Sequence, residues 1–115
     1  MSYTRLNPAS ASATSGLFEP ASGITVESQS AKIYGKVCQL DLALKHTAAW
    51  TTGTQYNIGK LSSAYRPALN TGGTFHNSGT AVILADNGNA YVRPLGASEL
   101  SANAEFSARF TYILP

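Results

Sequence analysis

Hydrophobic and polar residues alternate with a period of two in several stretches of the chain, which predicts β-strands. The pattern is clearest near the end of the chain, where one face of "AEFSARFTYIL" carries Ala104, Phe106, Ala108, Phe110 and Tyr112. Residues 32–45 alternate in the same way, and one of their faces carries Cys38, Leu40, Leu42 and Leu44. Gly35 lies inside this second run. A glycine within a strand predicts a bulge or a close backbone approach at that position.

Shorter segments add further strands. Ile24 and Val26 open one of them, and Tyr56 and Ile58 share one face of another. No stretch keeps a helical periodicity for two turns. Six or seven short strands separated by Gly, Asn and Pro are typical of two packed antiparallel sheets. The sequence therefore predicts an all-β fold, an antiparallel β-sandwich of jelly-roll type.

The segment "TAVILADNGNAYVRP" predicts a β-hairpin. Asn87-Gly88 is the preferred pair for a two-residue type I′ turn, because both central positions need a positive φ. This turn would place Ala85 opposite Ala90 and Leu84 opposite Tyr91. Both faces of such a hairpin are largely apolar. We expect one face in the core and the other in a subunit interface or a second layer.

Residues 1–23 differ in composition from the rest of the chain. They are rich in Ser, Ala and Thr with interspersed Pro and Gly, which favours an extended arm over a regular element. The predicted division is an N-terminal arm, residues 1–23, and a head domain, residues 24–115. Only 12% of the residues are charged, which leaves little repulsion against self-association. A polar arm held by a neighbour and an apolar hairpin together predict a homo-oligomer.

Length and charge narrow the possible functions. A chain of 115 residues has the size of one domain. Its net charge is +2, and its basic residues are scattered singly, so we expect no nucleic-acid binding. No window approaches roughly 18 consecutive apolar residues, so we expect no membrane insertion. The first residues lack the charged and apolar regions of a secretory signal, and we expect no such signal.

The residue types that usually carry catalysis lack the spacing that catalysis needs. Cys38 is the single cysteine, which excludes an internal disulfide, and its strand-like surroundings predict a buried thiol. Neither His46 nor His76 has a second ligand at metal-binding spacing. The sequence contains no nucleophile elbow and no phosphate-binding loop. We therefore expect no enzymatic activity, no cofactor and no metal.

Two loop-like segments are candidates for binding a sugar. The first offers His46, Trp50 and Tyr56, and an exposed Trp50 would stack on a sugar ring. The alternative is that Trp50 plugs the end of the sandwich. The second segment offers Asn70, Phe75, His76 and Asn77. Binding residues concentrate on such loops.

The stretch "IGKLSSAYRP" resembles a pattern that recurs in C-terminal head domains of phage and prophage tail-fibre and baseplate proteins. The matching positions are Ile58, Gly59, Leu61, Tyr65, Arg66 and Pro67. The opening "GKVCQLDLALK", the "ADNGNAYVRPLG" hairpin and the final aromatic strand are similar to the same domains. The resemblance covers residues 17–115. It implies a trimeric β-sandwich in the virion tail that binds a host-surface glycan without enzymatic activity and contacts other tail proteins. A purely structural connector and a glycan-degrading enzyme remain the alternatives.

The Tyr65-Arg66-Pro67 segment itself has a structural interpretation. Pro67 fixes its own φ and favours an extended conformation for Arg66. Tyr65 then covers the end of the core while its hydroxyl finds a partner. Arg66 is expected to donate to loop carbonyls or to pair with a carboxylate.

Overall fold

Two five-stranded antiparallel sheets pack face to face in the computed structural model, which describes residues 11–75, 80–94 and 101–115. In chain order the strands are β1 (Ala11–Ala13), β2 (Phe18–Pro20), β3 (Ile24–Tyr34), β4 (Val37–His46), β5 (Tyr56–Leu61), β6 (Thr71–Gly72), β7 (Thr74–Phe75), β8 (Thr80–Leu84), β9 (Asn89–Pro94) and β10 (Ala104–Ile113). A 3₁₀ helix spans Ser63–Tyr65. Sheet A has the order β1-β3-β4-β10-β7, and sheet B has the order β2-β5-β9-β8-β6. The predicted antiparallel β-sandwich is confirmed.

The core lies between the inner faces of the two sheets, and the alternating patterns of the sequence define those faces. β4 and β10 pair along their whole length, from Ala104 opposite His46 to Ile113 opposite Val37. Their inner residues are the ones predicted, and most of them are fully buried: Cys38, Leu40, Leu42, Leu44, Phe106, Ala108, Phe110 and Tyr112. Sheet B contributes Ile58, Leu61, Val82, Leu84, Ala90 and Val92 to the same core. Each buried leucine contributes roughly 1.5–3 kcal/mol of transfer free energy.

The run from residue 32 to residue 45 is two strands instead of one. Tyr34 pairs with Val37, and the two-residue turn between them consists of Gly35 and Lys36. Gly35 has a φ of 64°. Two-residue type II′ hairpin turns place glycine at this first central position. The alternation continues through the turn, which is why the sequence pattern alone suggested one strand with a bulge.

The hairpin between β8 and β9 has a register that differs by one residue from the predicted one. Leu84 pairs with Ala90, and Val82 pairs with Val92. Gly88 has a φ of 92°, whereas Asn87 is not among the residues with a positive φ. The amide of Gly88 donates to the carbonyl of Ala85 at 2.9 Å. The loop is therefore a three-residue turn with glycine in the left-handed region at its last position, a common hairpin type, and the type I′ prediction was wrong.

This register segregates the apolar residues of the hairpin better than the predicted one. All four inner residues are buried: Val82, Leu84, Ala90 and Val92. On the outer face Ile83, which pairs with Tyr91, is 41% exposed, and Ala81 and Arg93 are exposed. The outer face is therefore less apolar than the sequence indicated, because a slip of one residue exchanges the two faces of one strand.

Part of the predicted arm belongs to the sandwich. β1 pairs with β3, and β2 pairs with β5. Leu17 and Phe18 are buried in the core, and their amides donate to the side-chain oxygen of Gln29 at 2.9 and 3.1 Å. The sandwich therefore begins before residue 24. Strands of three residues are too short to show alternation, and residues 1–10 lie outside the described part of the chain.

Within the Tyr65-Arg66-Pro67 segment, Arg66 and Pro67 have the structural roles that the sequence predicted. Arg66 is extended, with φ and ψ of −76° and 144°, and Pro67 is buried. Nε of Arg66 donates to the carbonyl of Leu61 at 3.0 Å. The hydroxyl of Tyr112 donates to the carbonyl of Tyr65 at 2.5 Å, which joins β10 of sheet A to the segment that follows β5 of sheet B.

The same segment also contacts the hairpin turn, which the sequence did not indicate. The amide of Leu61 donates to the carbonyl of Gly88 at 2.8 Å. A Cβ atom at Gly88 would lie 2.7 Å from the Leu61 carbonyl oxygen and 2.6 Å from Nε of Arg66. Glycine is therefore required at position 88 both for its backbone conformation and for the close approach of β5.

We expect Gly88→Ala to destabilise the fold more than Gly53→Ala does. Gly53 also has a positive φ of 82°, but a Cβ atom there meets nothing within 4 Å. Gly53→Ala should cost about 1 kcal/mol of unfolding free energy from backbone strain alone. Gly88→Ala should cost at least about 1 kcal/mol more, because a backbone oxygen must also shift. Urea unfolding of both variants measures the difference, and equal losses would contradict the close packing at Gly88.

Candidate functional site

The aromatic residues of the first candidate loop form a stack at one end of the sandwich. The rings of His46 and Trp50 lie 3.7 Å apart and are nearly parallel, at 5°. Tyr56 stacks on Trp50 with a centroid distance of 5.1 Å and an angle of 16°. Nδ1 of His46 donates to the carbonyl of Ala48 at 2.6 Å, and the amide of Thr51 donates to the hydroxyl of Tyr56 at 2.7 Å. The stack therefore fixes the loop that follows β4.

This stack leaves Trp50 no free face for a sugar ring. Trp50 is 8% exposed and His46 is 1% exposed, and Phe106 packs against both rings. Trp50 therefore plugs the end of the sandwich, which is the alternative that the sequence left open. The stacking-platform interpretation is not supported for Trp50 or for His46. The sequence left both interpretations open because a loop residue without alternation gives no sign that it folds back onto the core.

The second candidate loop is only partly within the described residues. Asn70 accepts a hydrogen bond from the amide of Asp86 at 2.9 Å, so its side chain ties the loop to the β8–β9 turn. The backbone of Phe75 pairs with Ala108. His76 and Asn77 lie outside the described residues, and their role in binding stays a prediction.

The outer face of sheet A carries an open groove. Its main cavity has a volume of about 440 Å³ and crosses β3, β4, β10 and β7. We call it the cross-strand groove and define it by Ser28, Ser30, Asp41, Ala43, Ser107 and Arg109. The sequence placed Asp41, Ser107 and Arg109 on the polar faces of their strands, but it gave no sign that these residues adjoin one another.

Strand register explains the shape of the groove. Ala43 pairs with Ser28 on one side and with Ser107 on the other, so three short side chains form one row across three strands. The neighbouring row joins Ser30, Asp41 and Arg109 in the same way. Successive outward residues of a strand lie two positions apart, so short side chains in one row leave a trench beside the longer ones.

The cross-strand groove continues on the other side of the short row, where the side chains are charged. A second cavity of about 320 Å³ adjoins the first, and the two share Ala43 and Ser107 as lining residues. Glu27 and Glu105 line this second cavity. Lys45 pairs with Glu105 in the strand register and belongs to the same wall. The register of β3 shifts between Val26 and Ser28, so Glu27 is an extra residue at a bulge.

The row that contains Asp41 and Arg109 forms the first wall of the groove, and these two residues are an ion pair. Nε of Arg109 lies 2.5 Å from Oδ1 of Asp41, and the two side chains are 64% and 41% exposed. Exposed pairs of this kind contribute roughly 0–1 kcal/mol to stability. Asp41 and Arg109 can therefore exchange this contact for hydrogen bonds to a ligand at little cost in folding free energy.

The described part of the chain gives little support for a metal site, a reactive cysteine or a membrane-spanning helix. No group of three or more His, Cys, Asp or Glu residues is placed to hold a metal ion there. Cys38 is buried as predicted, and burial raises the pKa of its thiol. Burial also raises the pKa of Tyr112, whose hydroxyl lies beside that thiol. A thiol with a raised pKa is a poor nucleophile near neutral pH. No helix in the described ranges is long and apolar enough to cross a membrane.

Comparison with models of protein families and with curated proteins finds no match to the chain. The fold and the site therefore define the protein only as an antiparallel β-sandwich with an open polar groove on one sheet. Its function has to be inferred from that groove and from the short motifs of the sequence.

We expect Trp50→Ala to lower stability strongly, because it removes the central ring of a buried stack. Truncation of a buried aromatic residue costs roughly 3–5 kcal/mol. Thr52→Ala changes an exposed residue of the same loop and should stay within about 0.5 kcal/mol of the parent. Thermal and urea unfolding followed by circular dichroism measure both variants without relying on tryptophan fluorescence. A Trp50→Ala variant as stable as the parent would contradict the plug.

Proposed function

We propose that the chain is a non-enzymatic receptor-binding module of a phage or prophage tail, where it attaches the particle to a glycan on the host surface. The cross-strand groove is the observation that carries this proposal. It presents hydroxyl, carboxylate and guanidinium groups on a rigid sheet face, where polar groups can hold a ligand in a fixed orientation. The resemblance of "IGKLSSAYRP" to tail head domains supports the same function.

The backbone spacing of Asp41 and Glu105 does not favour these two residues as the carboxylate pair of a glycosidase. A glycosidase needs two carboxyl groups within roughly 5–9.5 Å of each other, on either side of the scissile bond. Glu105 lies four positions along β10 from Arg109, the register partner of Asp41. At about 3.4 Å per residue, the backbones of Asp41 and Glu105 are about 14 Å apart.

We further propose that the module is a homotrimer located in the tail of the virion, in contact with other tail proteins. Exposed apolar side chains support self-association. Tyr34 and Ile113 are 41% and 56% exposed, and both pair with Val37, so they form one patch across three strands. Three weak sites on one trimer gain avidity from effective concentration, often by 10²-fold or more.

We expect a solution mass three times the chain mass of 12.1 kDa. Size-exclusion chromatography with light scattering over micromolar concentrations measures it. Ile113→Lys should shift the population toward monomer because it places a charge in the apolar patch, whereas Thr111→Lys changes an exposed polar residue two positions away and should not. A parent chain that stays monomeric at these concentrations would refute the trimer.

We expect the purified chain to bind saccharides and to leave them intact. Coupling the chain to fluorescent beads makes weak sites act together, and a printed array of neutral and anionic oligosaccharides then reports binding. Release of reducing ends from the bound saccharides would instead identify a glycan-degrading enzyme. Beads that bind no saccharide would favour a structural connector and overturn the proposed function.

A further inference from the structure

We infer that the cross-strand groove binds a neutral, hydroxyl-rich saccharide chain that lies across the strands of sheet A. This inference rests on the proposed function and adds to it the place of the site, the direction of the ligand and its charge. It moves the binding site from the loops, where the sequence suggested it, to the face of the sheet.

The floor of the groove sets the direction of the ligand. The short row Ser28, Ala43 and Ser107 runs perpendicular to the strands, with longer side chains on either side of it. Neighbouring strands are about 4.8 Å apart, so the row from β3 to β10 is about 10 Å long. The larger cavity is lined by residues from Ser28 on β3 to Thr74 on β7, so the groove is continuous across these strands. An elongated ligand fits the trench better than a compact one does.

The floor and the first wall match the chemistry of a sugar. Ala43 offers a methyl group between two hydroxyl-bearing residues, which suits the C–H face of a ring bordered by its hydroxyls. A carboxylate only accepts hydrogen bonds and a guanidinium only donates them. Asp41 and Arg109 therefore supply an acceptor and a donor at one place, and neighbouring sugar hydroxyls can satisfy both.

The charges around the groove oppose a polyanionic ligand. Asp41 and Arg109 balance each other on one wall. The other wall has Glu27 and Glu105, and Lys45 is the register partner of Glu105. A site for a polyanion needs an excess of positive charge, since affinity there comes from neutralising the ligand. These five side chains carry one more negative than positive charge, so a neutral chain is favoured over a phosphate-rich or uronate-rich one.

Two tyrosine substitutions on the outer face of β10 test whether the ligand binds in the groove or elsewhere on the sheet. Ser107→Tyr places a bulky ring in the floor, whereas Thr111→Tyr places the same ring four positions away on the same face. Both positions are exposed, and tyrosine is favourable in strands, so neither change should unfold the protein. Arg109→Gln provides a second groove variant that removes the positive charge of the first wall without adding bulk.

The probe is the bead-coupled chain on an array of neutral and anionic oligosaccharides, read at low and at high sodium chloride. We expect the parent to bind neutral saccharides with little dependence on salt. Ser107→Tyr should lower this binding at least tenfold, Arg109→Gln should also lower it, and Thr111→Tyr should leave it within about twofold. Melting temperatures close to that of the parent show that the variants remain folded.

The remaining outcomes distinguish a failure of this inference from a failure of the proposed function. Saccharide binding that both groove variants retain would place the site elsewhere and overturn the inference alone. Binding confined to anionic saccharides that falls steeply with salt would also overturn it, because the ligand would then be recognised by its charge. A parent chain that binds no saccharide would overturn the proposed function and the inference together.

Discussion

The continuous pairing of β4 with β10 is the constraint on which the rest of this structure depends. Ten residue pairs join the two strands without a bulge, from Ala104 opposite His46 to Ile113 opposite Val37. Because side chains alternate across a strand, this single register decides both faces of sheet A at once. Its inner residues fill the core, and its outer residues place Asp41 beside Arg109 and Ala43 beside Ser107.

The two ends of the paired strands β4 and β10 are closed in different ways. At one end His46 and Trp50 stack beneath Tyr56, which packs the following loop onto the core. Toward the other end the hydroxyl of Tyr112 reaches the carbonyl of Tyr65 and joins sheet A to sheet B. Arg66 and Gly88 extend this junction to the β8–β9 turn. The contacts that close the ends of the sandwich involve none of the residues that define the cross-strand groove.

This separation of the core from the outer face explains how a small sandwich can carry a polar groove without weakening its core. The groove is made only from outward-facing side chains, so its composition can change while the inner face stays apolar. Its ion pair contributes little to stability, which is the expected property of a pair that can exchange partners with a ligand. The bulge at Glu27 adds one residue to the edge of the same face, where bulges commonly redirect side chains.

The sequence by itself determined the fold class, the inner faces of β4 and β10 and the structural roles of Arg66 and Pro67, because each follows from periodicity or from local backbone chemistry. It did not determine the register of the β8–β9 hairpin, since a glycine at position 88 is compatible with more than one turn type, and the observed register is the one that buries Val82, Leu84, Ala90 and Val92. It also did not decide whether Trp50 is an exposed stacking platform or a buried plug. Burial of this loop residue depends on its contacts with Tyr56 and Phe106, which local sequence patterns do not reveal. The groove was decided only by the tertiary structure: Ser28, Ala43 and Ser107 are far apart along the chain, and it is strand pairing that brings them into one row.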